Sequence, residues 1–152
     1  MTITIKRITD YVYMKQIATV FDLYRQFYKQ PSDIPLAERF LKERILHRES
    51  VIFVAFDGRR VVGFLQLYPS FSSVSAQRSW ILNDLFVPEN YRKQGIAAQL
   101  LTHAKGFVVQ TETKGLALET AVDNPAQHLY ERLGWKQDAG SLHYFWKNTQ
   151  AT

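Results

Sequence analysis

Residues 81–110 constrain this chain more than any other stretch. Ile81-Leu82-Asn83-Asp84-Leu85-Phe86-Val87 reads as a strand. Pro88 ends it, because proline has no N–H to give a sheet. A polar corner, Glu89-Asn90-Tyr91, precedes Arg92-Lys93-Gln94-Gly95-Ile96-Ala97, which leads straight into a helix predicted from Gly95 to about Gln110. Ile96, Leu100, Ala104, Phe107 and Val108 give that helix one apolar face. Gly115 restarts a strand, Leu116 to Val122, and the unit over residues 80–121 is therefore expected to be parallel with a right-handed crossover. The loop suits an anion. The first N–H groups of a helix lack intrahelical partners, and the helix dipole adds partial positive charge there. Gly95 and Ala97 leave the backbone approachable, and Arg92 and Lys93 add full charges, with Arg92 able to grip a phosphate in two places. Neither G-x-x-x-x-G-K-(S/T) nor G-x-G-x-x-G occurs, so the P-loop and dinucleotide patterns are excluded. The plainer alternative is a strand–turn–helix with a basic surface corner.

Arg92-x-x-Gly95-x-Ala97 resembles the acyl-CoA-binding signature of the GNAT superfamily of N-acetyltransferases, (Q/R)-x-x-G-x-(G/A). A second block, Asn124-Pro125-Ala126-Gln127-His128-Leu129-Tyr130-Glu131-Arg132-Leu133-Gly134-Trp135, is similar to that family's later segment, where an Asn, an Ala, a Leu-Tyr pair and a Gly-aromatic recur in that order. More loosely, the resemblance runs from the first strand to about Trp146.

At 152 residues the chain is expected to form one domain, residues 1–147, followed by a polar tail, 148–152. A hydrophobic content of 46% with 22% charged residues is that of a soluble globular protein. There is no cysteine, which removes disulfides, Cys metal sites and a Cys nucleophile. No metal is expected, since His47, His103, His128 and His143 lack ligand spacing. No signal-like N-terminus and no apolar run of transmembrane length occur, so a cytoplasmic protein without membrane contact is expected. The net charge of +5 is scattered rather than massed, which argues against a nucleic-acid partner and suits attraction of a polyanionic cofactor.

Along the chain, residues 2–8 read as a short strand and Asp10 as a helix cap. A helix to about Lys29 carries Ile17, Val20, Phe21, Tyr24, Phe27 and Tyr28; its far end, Tyr24 to Gln30, walls either core or a pocket. A second helix starts near Pro35. Val51 to Phe56 is a buried strand that turns at Asp57-Gly58 and returns over Val61 to Tyr68, with Gly63 marking a bulge or a close backbone contact. Pro69 to Gln77 is serine-rich and reads as a long loop. Asp123 or Asn124 caps a short helix with Pro125 first, and Gly134 ends it. Trp135 to Asp138 and Leu142 to Lys147 read as two last strands. The result is an α+β layout, a mixed and mostly antiparallel central sheet with helices on both faces, which agrees with the GNAT fold.

The resemblance implies transfer of an acetyl group from acetyl-CoA directly to an amine. It puts the pyrophosphate on the loop Arg92, Lys93, Gln94, Gly95, Ile96, Ala97 and Ala98, and pairs the pantetheine arm with the backbone of Leu85, Phe86 and Val87. An N–H on that strand is also a candidate oxyanion donor. Tyr130 matches the general acid; a phenol titrating near about 10 stays protonated and can donate to a departing thiolate. Its alternative is packing of the helix onto the sheet. Asn124 matches a pantetheine contact, with simple capping as the alternative. Asp84, an acid within an apolar strand, is the first candidate base or amine anchor, or else a structural acid bonded to backbone. Glu119 is the second candidate. Tyr28, Tyr68 and Phe71 compose an aromatic acceptor pocket able to hold a cation. A small-molecule amine (polyamine, amino acid or aminoglycoside-like) is the expected acceptor, in a ternary complex, with a protein amine or a non-catalytic acyl-CoA-binding module as alternatives. A homodimer is expected from the resemblance and the exposed C-terminal strands.

Overall fold

The computed structural model describes residues 1–150; the end of the expected polar tail, 151–152, lies outside them. Ten segments follow in order: β1 (Ile3–Arg7), α1 (Met14–Phe27), α2 (Ile34–Leu46), β2 (Val51–Asp57), β3 (Arg60–Ser72), β4 (Gln77–Phe86), a 3₁₀ turn (Glu89–Tyr91), α3 (Ile96–Gln110), β5 (Leu116–Leu118) and α4 (Ala126–Arg132). The five strands form one sheet in the order β1-β2-β3-β4-β5. The first four are antiparallel and β5 runs parallel to β4, as the crossover through α3 requires.

Both faces of the sheet are covered. Ile17, Phe21 and Leu41 of α1 and α2 pack with Ile52, Val54, Phe64 and Phe86 on one side. Ile96, Leu100, Leu101 and Tyr130 of α3 and α4 pack with Phe53, Leu65, Leu67 and Leu82 on the other. A strand buried from both sides has no polar face to show, which explains the unbroken apolar run Val51 to Phe56.

Local chemistry sets most boundaries. Asp33 caps α2, accepting from Leu36 N at 3.1 Å, and proline stands in its first turn. Asp10 instead bonds Val12 N at 3.0 Å, one turn before α1, whose N-terminus has no side-chain cap. Gly134 adopts φ 104° and closes α4. Buried Asp22 accepts from Gln26 Nε2, Ser32 Oγ and Asp33 N at 2.8, 2.7 and 2.7 Å, tying α1 to the entry of α2.

Three expectations need correcting. The stretch Pro69 to Gln77 is not a long loop: β3 continues to Ser72, pairing Pro69 with Trp80 and Phe71 with Arg78, and only residues 73–76 turn. Ladder pairing with β4 overrides the weak strand propensity of serine. The strand after α3 is three residues, not seven. Trp135 to Asp138 and Leu142 to Lys147 form no strand within the chain, because neither finds a neighbour to pair with.

Two bulges interrupt the antiparallel pairing. One lies opposite Ala55/Phe56, beside Gly63. The other falls between Gln66 and Leu67, whose partners are Asp84 and Leu82, so Asn83 is the extra residue. That extra residue reverses which face the strand presents. Leu82 packs in the α3-side core, whereas Asp84 and Phe86 face the α1 side.

Candidate functional site

Beyond Trp80–Leu82 of β4, β5 no longer accompanies it, and the gap opens into a cleft of about 360 Å³. Tyr24, Phe27 and Tyr28 of α1 form one wall, Asn83, Leu85, Phe86 and Val87 of β4 the second, and Asn124, Leu129 and Tyr130 of the α4 region the third. Arg92, Ala97, Glu119 and Thr120 complete its lining.

The start of α3 is built to receive an anion. Gly95 takes φ 79°, the left-handed region that glycine enters without strain, and a side chain added there would meet nothing within 4 Å. No side chain caps α3, so its first N–H groups stay available. Lys93 also has a positive φ, 61°, and is exposed. Arg92 does more than carry charge. Its Nε donates to Val87 O at 2.8 Å, and its guanidinium lies over Phe27 and Phe86 at 5.7 and 5.5 Å. It therefore braces the end of β4 against α1 with one nitrogen committed. Tyr91 helps fix the corner by accepting from Arg60 Nη1 at 3.0 Å.

Gly63 seats β4 against α3. A Cβ there would meet Phe86 O at 3.2 Å and Ile96 Cγ2 at 3.3 Å, so the close-contact reading holds together with the bulge.

On the α1 side of the sheet lies a buried polar cluster. Gln66 is 0% exposed and Asp84 6%. Gln66 Nε2 donates to Asp84 Oδ2 at 2.7 Å, and Asn83 Nδ2 to Asp84 Oδ1 at 3.2 Å. The Gln66 amide also reaches Tyr68 Oη at 3.3 Å, while its Oε1 is buried with no partner. Burial, then the Asp84 carboxylate, pushes Tyr68 up to about 12. The same two causes push Tyr24 far above the ordinary phenol range. Both phenols therefore stay protonated, facing a carboxylate and an orphan carbonyl oxygen. Such a cluster favours a cation.

Tyr130 is 9% exposed, lines the cleft and stacks edge-on against Trp135 at 6.0 Å. Burial, then Tyr28, raises it above its ordinary value of 10.0. Asn124 Oδ1 accepts from Ala126 N at 2.9 Å, just ahead of α4, and the residue also lines the cleft.

The structure thus gathers Leu85, Phe86, Val87, Arg92, Ala97, Asn124, Tyr130, Tyr28 and Glu119 around one cleft. Asp84 and Tyr68 stand behind Tyr24 rather than on its wall. Lys93, Gln94, Gly95 and Ile96 are not on the lining, and the Ile96 side chain is buried in the α3-side core. Two further expected residues fall elsewhere. Ala98 lines a broader groove of about 910 Å³ beside β1 and α3. Phe71 is 66% exposed on the far β3–β4 hairpin, under Arg78 at 5.1 Å, because that stretch is strand rather than loop. Gln66 was not foreseen; its signal was a lone amide inside the apolar run Val61 to Tyr68. No cluster of three or more His, Asp or Glu side chains suited to a metal ion occurs among the described residues.

Comparison with known proteins gives a consistent result. Residues 17–135 match the Acetyltransferase (GNAT) family. An uncharacterized N-acetyltransferase, YhfO, of Bacillus subtilis (strain 168) is 47% identical over 129 residues, 84% of this chain and 87% of the relative. A probable acetyltransferase of Haemophilus influenzae is 34% identical, over 74% of this chain and 86% of its own length. Among solved structures, that of a probable acetyltransferase superposes with a TM-score of 0.90 at 38% identity, covering 97% of this chain and 99% of the other.

Proposed function

Since the chain belongs to the GNAT family of acetyltransferases, we propose that it acetylates a primary amine of a small cationic molecule, with acetyl-CoA as donor in a ternary complex. The observation that carries this reading is the single cleft shared by the uncapped start of α3, the buried phenol of Tyr130 and the strand end Leu85–Val87. Acetyl-CoA supplies the activated thioester.

In this reading the chain's own residues do four things. The N–H groups from Gln94 to Ala97 seat the pyrophosphate, with Lys93 and the free nitrogens of Arg92 adding charge. The backbone of Leu85 to Val87, left unpaired by β5, holds the pantetheine arm and offers an N–H to the thioester oxygen. Asn124, already bonded through Oδ1, has its amide hydrogens left for the same arm. Tyr130 donates its proton to the departing sulfur.

The amine end is assigned to Tyr24, Tyr28 and the Asp84–Gln66–Tyr68 cluster behind them, with Glu119 on the cleft lining. Aromatic faces and a buried carboxylate both favour an ammonium. Asp84 is the proposed proton acceptor, directly or through water. The proposal treats residues 1–147 as one domain acting in the cytoplasm, where the donor is made, and as half of a homodimer.

The test is thiol release from acetyl-CoA across a panel of polyamines, amino acids and aminoglycosides, with Tyr130→Phe beside the wild type. Release confined to one amine class, with kcat falling on the order of 10²-fold in the variant, is expected. Undiminished kcat in Tyr130→Phe would remove the general acid. Tight acetyl-CoA binding without release from any amine, including a lysine-bearing peptide, would leave a binding module.

A further inference from the structure

We propose that the proton of the acceptor amine reaches Asp84 through the hydroxyl of Tyr24, which makes Tyr24 a catalytic residue of the acceptor end. This rests on the reading of Asp84 as the proton acceptor and assigns its route to one side chain.

Asp84 does not line the cleft that it is taken to serve. It is 6% exposed and stands off the wall, so a bound ammonium needs a bridge to it. Gln66 Nε2 holds its Oδ2 at 2.7 Å, but from a fully buried position. Asn83 Nδ2 holds its Oδ1 at 3.2 Å and does line the cleft. An amide donates there without giving up its proton, so Asn83 orients the carboxylate and passes nothing on. Tyr68 bonds the Gln66 amide at 3.3 Å and lies off the cleft. Tyr24 lines the cleft and carries a hydroxyl, which accepts one hydrogen bond while donating another.

Packing aims that hydroxyl. The β3–β4 register sets Phe64 opposite Phe86 and Gln66 opposite Asp84. The Tyr24 ring stands edge-on to both Phe64 and Phe86, at 5.6 and 5.7 Å. Its hydroxyl therefore comes to the neighbouring polar pair and faces the Asp84 carboxylate as a hydrogen-bonding partner. Tyr28, at 5.2 Å, and Phe21, at 6.1 Å, hold the ring from its own helix. Tyr28 and Tyr68 are the other titratable groups around it. Burial, then the Asp84 carboxylate, keeps the phenol protonated, so Tyr24 passes a proton in concert and does not ionise on its own.

The step balances without a co-reactant. One N–H bond of the ammonium breaks as its proton bonds to Tyr24 Oη. In the same movement the phenolic proton passes to an Asp84 oxygen, and the nitrogen keeps the electron pair with which it attacks the thioester. Tyr24 begins and ends neutral. After attack, the second proton lost from nitrogen returns to Tyr130, which has protonated the sulfur. Once product leaves, the first path runs backward and delivers the Asp84 proton to the open cleft.

The test compares two acceptors of the responding amine class: one that is an ammonium at neutral pH, and a fluorinated analogue that is mostly neutral there. Tyr24→Phe keeps the ring and removes the hydroxyl. Its kcat/KM is expected to fall on the order of 10²-fold for the ammonium acceptor. Little change is expected for the neutral analogue, and the loss should shrink as pH rises toward the amine's own pKa. Asp84→Asn should show the same selectivity. Equal losses for the two acceptors would make Tyr24 a packing residue and overturn the relay. A selective loss in Asp84→Asn with none in Tyr24→Phe would overturn it as well, leaving Asp84 served by water. No selective loss in either variant would remove Asp84 as the proton acceptor, and the relay with it.

Discussion

Removing the Asp22 carboxylate takes away three hydrogen bonds that hold the α1–α2 turn. Asp22→Ala is expected to destabilise the fold by about 2 kcal/mol, read from urea or thermal unfolding. Burial pushes this group up, but the bonds from Ser32, Asp33 and Gln26, with Arg25 nearby, pull it further down, below its ordinary 3.8. The stabilisation is therefore fully present above pH 3.8 and is lost as pH falls through the folded value. The stability gap between wild type and variant should close on that acid side, measured as Tm against pH. Gln66 offers a second residue-scale test. Gln66→Glu would set two carboxylates side by side, which forces one to hold its proton. At neutral pH kcat/KM is expected to fall by about tenfold or more. An unchanged value would mean Asp84 takes no part in the proton transfer.

Gly63 is a small residue with a large reach because β4, β3 and α3 meet over it. Gly63→Ala would press on Phe86 O and Ile96, at the end of β4 and the start of α3. A loss of about 1–3 kcal/mol is expected, with a raised KM for acetyl-CoA and little change in kcat. The element scale also shows what could be read from residue order. The strand–loop–helix over residues 81–110, the start of α2 at Pro35, the hairpin at Gly58 and the Gly134 stop each rest on local chemistry, and each is present. That Leu85, Arg92, Ala97 and Tyr130 line one cleft followed from the resemblance of the two motifs rather than from local chemistry. The extension of β3 and β4 through serines was not legible, because ladder pairing is a property of two strands. The Gln66–Asp84 pairing was hidden likewise: it depends on a register set by one bulged residue 17 positions beyond Gln66. The last strands were overread, since β-prone sequence declares a capacity to pair and not the presence of a neighbour.

Across the whole molecule the two cores are unequally anchored. β2, β3 and the lower half of β4 are paired on both sides and packed from both faces. β5 contributes three residues paired on one side, and α4 only seven residues, held by Tyr130, Trp135 and the Lys105 ammonium against Leu133 O. Opening of the β5–α4 region should therefore cost less than global unfolding. Amide hydrogen exchange is expected to be fastest there among the regular elements and slowest in β2 and β3. Acetyl-CoA should slow exchange in α4 and the start of α3 together. Uniform protection across the sheet would contradict this ordering.

The extra residue at Asn83 also bears on how a gene for this chain can change length. Deletion of that one codon would make Leu82 and Asp84 neighbours, and plain alternation puts neighbours on opposite faces. Leu82 would stay on the α3 side and the carboxylate on the α1 side, each with its present partner on β3, and only the bulge would be lost. Loss of codon 83 is therefore expected among working copies, because the inherited trait is the face each side chain takes and not the number of residues between them.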